Sequence, residues 1–196
     1  MPAKREITRD DILPMDAFAA VRNERRAEIA ALRKNRRFEI GPSATIYFEC
    51  FETMWWQVHE MLFVEKGGDA QLADELEAYN PLVPKGDELV ATLMFEIDDA
   101  GRRDRLLARL GGVENTVTIG FAGETVAGVP EGDVARSTED GRASSVHFLH
   151  FAFTPAQIAS FREPGARVDV GIGHAVYGHM AVMPEPVRQA LSEDFD

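Results

Sequence analysis

Residues 48–65, FECFETMWWQVHEMLFVE, run from a strand into a helix that has almost no polar face. Placed at about 100° per residue, Met54, Trp55, Trp56, Val58, Met61, Leu62, Phe63 and Val64 surround the axis, so the helix has to be covered on nearly every side. Gln57, His59, Glu60 and Glu65 interrupt that surface. Glu60 stands one turn after Trp56 and one before Val64, and a buried carboxylate needs a cation, a metal or a proton.

The cover comes from segments that alternate. Residues 44–51 place Ala44, Ile46, Phe48 and Cys50 on one face and Glu49 among the aromatic residues of the other. Residues 89–97 repeat the pattern, with Glu96 a second carboxylate in an apolar run, and residues 145–153 are apolar on both faces, as a central strand would be. Residues 117–121 and 125–129 flank Ala122-Gly123-Glu124 and read as a hairpin, and residues 167–174 form the last strand. Helices fall at 17–34, 54–65, 70–79, 99–110 and 154–161, with a short one after Pro184, while residues 131–142 read as a polar surface loop. Strands joined by hairpins and helices, without regular βαβ alternation, predict an α+β fold: one domain with a mainly antiparallel sheet of five or more strands wrapped around the buried helix. Residues 1–36 would form a helical arm on a body of residues 37–196.

Charge divides the chain at the same place. Residues 1–40 hold ten Lys and Arg against seven Asp and Glu, whereas the remainder holds eleven against twenty-six. A net charge of −12 argues against nucleic acid as the partner. The basic excess lies on the 17–34 helix, whose outward Arg22, Arg25, Arg26 and Arg33 fit docking on an acidic protein. Cys50 is the only cysteine, which rules out an intrachain disulfide or a four-cysteine metal site. No run of eighteen apolar residues exists and the first residues are charged, so the expectation is a cytoplasmic protein with no membrane span. Self-association stays open.

The five histidines fall in three places: His59 on the apolar helix, His147 and His150 on opposite faces of a strand, and His174 and His179 at the end of the last strand. His147 and His174 could meet at one rim. With Glu60, Glu49 or Glu96 they would supply two imidazoles and a carboxylate, the donor set of a non-haem iron, manganese or zinc site, though the spacing matches no established metal motif. Satisfied structural histidines and buried ion pairs explain the same residues. Ser144 and Ser145 near His147 lack a nucleophile elbow, and the three glycines at 171, 173 and 178 lack a dinucleotide fingerprint. A metal-free alternative makes Glu60 a proton carrier with its pKa raised by burial. The reaction, and whether there is one, stays open.

ITRDDILPM, RRFEIGP, TMWWQVHEM, ELEAYNPLVP, LVATLMFEI, GRASSVHFLHF and GHAVYGH together resemble the uncharacterised bacterial DUF3501 family across nearly the whole chain. The resemblance implies no activity. It implies a setting beside rubrerythrin-like di-iron proteins and iron–sulfur oxidoreductases, and a pattern of Glu49, Gln57, Glu60, Glu65, Glu96, His147, His174 and His179 that excludes His59 and His150. Two functions follow as expectations. The first binds a metal ion or small ligand through His147, His174, Glu60, Glu49 and Glu96, with His179, Tyr177, Gln57 and Glu65 around it, in an iron-linked redox or peroxide-stress pathway. The second is a non-catalytic accessory protein docking on an acidic redox partner.

Overall fold

Strands β1 (Arg37–Ile40), β2 (Ala44–Phe48) and β3 (Glu88–Phe95) lie side by side because their alternating apolar residues share one buried face. The computed structural model that shows this describes residues 4–132, 137 and 141–196. Further strands are β4 (Val117–Phe121), β5 (Glu124–Ala127), β6 (Val129–Pro130), β7 (Val146–Ala152), β8 (Val168–His174) and β9 (Tyr177–Val182). They make a five-stranded sheet in the order β1-β2-β3-β7-β6 and a four-stranded sheet in the order β5-β4-β8-β9, with every pairing antiparallel. Ala122 at φ 50° and Gly123 at φ 79° form the tight turn between β4 and β5, the hairpin expected there.

The sheets face each other. Ile46, Phe48, Leu89 and Leu93 of the first close on Ile119, Val170 and Ile172 of the second, all almost without exposure. Phe121, Phe153, Phe161 and Phe195 fill one end of this core edge to face and stacked. Helices α5 (Pro155–Arg162) and α6 (Glu185–Ser192) contribute Phe161, Val187 and Leu191 there.

The apolar helix, α2 (Phe51–Glu65), lies on the outer face of the first sheet. Met54, Val58 and Leu62 pack with Val90, and α3 (Gly68–Tyr79) adds Leu72 to the same cluster. Its far side is covered by α1 (Met15–Lys34), through Phe18 and Ile29 against Trp56. The cover therefore comes in layers, sheet below and helix above, and it stops short: Val64 is 66% exposed at the end of α2. Lys66 at φ 58° and the glycines after it end that helix.

Ahead of α1, Asp11 accepts from the backbone and hydroxyl of Thr8, and Trp55 donates to the Asp11 carbonyl at 2.7 Å. Asn80 clamps the segment by accepting from the Ile7 amide at 2.7 Å and donating to its carbonyl at 2.9 Å. Strand β9 was not among those expected. In β9 the inward positions are held by Tyr177, His179 and Ala181, and Met180 and Val182 are exposed, so the hydropathy of this edge runs against its burial. Of the expected 131–142 loop, residues 133–136 and 138–140 lie outside the described residues.

Candidate functional site

The five expected metal ligands are dispersed through the fold. Glu60 found a cation: Arg22, about two turns into α1, donates to both carboxylate oxygens at 2.7 and 2.8 Å, and Arg26 stands 3.9 Å away. Those contacts hold the Glu60 carboxyl below its ordinary pKa, the Arg22 hydrogen bonds outweighing the effect of burial. A proton carrier needs the opposite shift, so this corrects that expectation. It also moves Arg22 from a docking residue to the partner of a carboxylate.

Glu49 lies just beyond β2 and is buried, with one oxygen accepting from Thr53 at 2.7 Å and the other from Thr92 at 2.6 Å. Glu96 emerges at the exposed end of β3, where Tyr47 donates to both of its oxygens. His147 faces the inter-sheet core without exposure, its Nε2 2.9 Å from the Ser144 carbonyl and its Nδ1 3.7 Å from Glu114. His174 belongs to the other sheet and accepts from the Val176 amide at 3.2 Å. The two histidines stand on different sheets, His147 on β7 of the first and His174 on β8 of the second. Among the described residues, no three His, Cys, Asp or Glu side chains gather as metal ligands would.

The surrounding set is scattered as well. Gln57 reaches Tyr79 at 3.4 Å, and Glu65 accepts from Gln71 at the exposed end of α2. Tyr177 and His179 are neighbours, ring centroids 4.4 Å apart, but the Tyr177 hydroxyl is used in structure: it donates to the Ile40 carbonyl and accepts from the Ser43 amide. His59 is structural too. The Leu13 amide donates to its Nε2 at 3.0 Å, which leaves the proton on Nδ1 to donate to the Trp55 carbonyl at 2.8 Å, and burial lowers its pKa.

Buried polar residues that sequence reasoning passed over do converge. Arg36, 4% exposed, donates to the carbonyls of Phe48 and Glu49 at 3.0 Å each and pairs with Asp194 near the end of the chain. It fixes the turn from β2 into α2. Cys50 sits at that turn with its thiol pushed up to about 11 by burial.

Two surfaces beside α1 are candidates for binding. A cavity of about 610 Å³ opens between the segment before α1 and the ends of α2 and α3, lined by Ile12, Leu13, Met15, Phe63 and Leu72. The other is a basic groove of about 460 Å³ between α1 and β1, walled by Arg26, Arg33, Lys34 and Arg37 with Trp56 and Glu60 in it. Lys34 and Arg37 carry it into an adjoining hollow beside Tyr47 and Glu96. Arg37 rests over the Tyr47 ring at 5.7 Å, and among the described residues no carboxylate pairs with Arg33 or Lys34. Arg25 lies outside the groove, paired with Glu28 at 2.7 Å. Of the four arginines expected to dock, Arg26 and Arg33 line the groove; Lys34 and Arg37 complete it.

The chain has a close structural relative in a crystal structure of a novel protein of unknown function from Burkholderia pseudomallei, with 36% sequence identity over 97% of this chain and 99% of that one and a TM-score of 0.89. No curated protein matches the sequence. A family model described as a protein of unknown function (DUF3501) matches residues 6–195.

Proposed function

This chain belongs to the DUF3501 family, and since that membership prescribes no chemistry, we propose a function from its surface: a non-catalytic docking protein that receives an acidic partner along the α1–β1 groove. The observation that carries this is the unspent charge of Arg33 and Lys34, beside Arg26 and Arg37, on a chain whose net charge is −12. On a protein that repels anions overall, a groove that gathers cations gives an acidic partner a favoured place to approach. Trp56 in the groove offers an apolar surface for an anchoring contact. The resemblance to a family set beside rubrerythrin-like and iron–sulfur proteins makes an acidic redox protein of those kinds the first partner to try.

The test is binding of such a partner by the whole chain at low and at high salt, with Arg33→Glu and Lys34→Glu combined. We expect binding that weakens with salt and is lost in the folded double variant. Binding indifferent to both changes removes this reading. The metal reading has its own test in the metal content of anaerobically purified protein. Near one ion per chain, lost in folded His147→Ala and His174→Ala variants, would restore it against the dispersed geometry.

A further inference from the structure

A second basic cleft shares no lining residue with the α1–β1 groove and is built differently. Helix α4 (Ala100–Leu107) is started by Asp99, whose side chain accepts from the Arg102 amide at 2.5 Å, and is anchored by the buried Leu107 and Leu110. With that side fixed inward, Arg102, Arg105 and Arg109, spaced three and four residues apart, line a cleft of about 670 Å³. Tyr177, His179 and Ser43 form its other wall.

That wall is held in place. The two hydrogen bonds of the Tyr177 hydroxyl tie it to the turn between β1 and β2. Gly41 in that turn has φ +71°, and a Cβ there would stand 2.5 Å from Cγ of His179, so the turn needs glycine for His179 to sit where it does. The carbonyls that end α4 are occupied: the amides of Arg109 and Leu110 bond those of Leu106 and Leu107, and the Ala143 amide shares the latter.

The charge in the cleft is unbalanced. Among the described residues no carboxylate pairs with Arg102, Arg105 or Arg109, and Asp104, the one acid in the lining, is taken by Arg142 at 2.8 Å. Three guanidinium groups lining one cleft repel one another until anionic oxygens come between them, and their planar forks match the oxygens of phosphate and carboxylate. The volume suits a small molecule.

We propose that this cleft binds a small polyanion bearing phosphate or carboxylate groups, held by Arg102, Arg105 and Arg109 against His179. The site is independent of the α1–β1 groove and stands whether or not that groove docks a partner.

The test is calorimetric titration of the whole chain with pyrophosphate and, separately, citrate, at about 50 mM salt and again at about 300 mM. We expect at least one probe to bind in a salt-sensitive way, with affinity falling about tenfold or more in an Arg105→Ala, Arg109→Ala double variant whose circular dichroism is unchanged. Pyrophosphate alone would mark a phosphate site, and citrate alone a carboxylate site. His179→Gln, which leaves the three arginines in place, should weaken binding less than the double variant does. The proposal is overturned if neither probe binds at millimolar concentration or if the double variant binds as the parent does. It is also overturned if loss of binding instead follows Arg33→Glu with Lys34→Glu, which would put the anion in the other groove.

Discussion

At the residue scale, burial decides which groups react and which only hold. Cys50 is nearly enclosed and its thiol is pushed up to about 11, so the nucleophilic thiolate is scarce at neutral pH. Iodoacetamide at about pH 8 should leave it unmodified in the folded chain and label it readily in denaturant, as mass spectrometry would show. Gly41→Ala sets a side chain into a left-handed backbone position and against the His179 ring. The backbone alone should cost about 1–2 kcal/mol, read as a lower urea midpoint. His150 sits between Glu88 at 2.9 Å and Glu131 at 2.8 Å, and the Glu88 hydrogen bond, ahead of the opposing effect of burial, raises its pKa above 6.5. A raised histidine lends stability that is complete below its unfolded pKa and fades as pH climbs past the folded one. The stability gap between the parent and His150→Gln should therefore be widest at about pH 5 to 6 and close toward alkaline pH.

At the element scale, α1 is held to the rest by a few contacts. Phe18 has no exposure and touches Trp55, Trp56, His59 and Phe63, while Arg22 reaches Glu60 on the next helix. Phe18→Ala should cost about 3–5 kcal/mol and loosen α1 before the sheets, which amide exchange of the helix against the strands would reveal. The elements themselves were legible wherever period and burial agreed. The β2, β3 and β8 strands announced themselves by alternation and β7 by being apolar on both faces, and the fold class followed. β9 did not, since His179 and Ala181 point inward while Met180 and Val182 face out. The candidate site was harder to read for a different reason. Arg22 looked like an outward-facing arginine because its partner lies 38 residues away, and only the docking of α1 on α2 brings them together. His147 and His150 do lie on opposite faces of their strand, yet sequence could not say that β7 and β8 belong to separate sheets.

At the scale of the whole molecule, distant parts of the chain are tied by buried charge. Arg36 bonds two carbonyls at the β2–α2 turn and pairs with Asp194, a residue 158 positions later. Arg36→Ala would leave that carboxylate buried without its cation, and a loss of about 3–5 kcal/mol in chemical denaturation is expected. Among the described residues no helix is long and apolar enough to cross a membrane. The two basic clefts are lined by different residues, one on α1 and β1, the other on α4 and β9. Strand β3 shows what the layering means for motion. Leu89, Ala91 and Leu93 belong to the core between the sheets, while Val90 belongs to the helical core on the other side. It is a party wall, and neither room can be emptied while it stands. Its amides should be among the last to trade hydrogen for deuterium, and when they do, both cores should give way together.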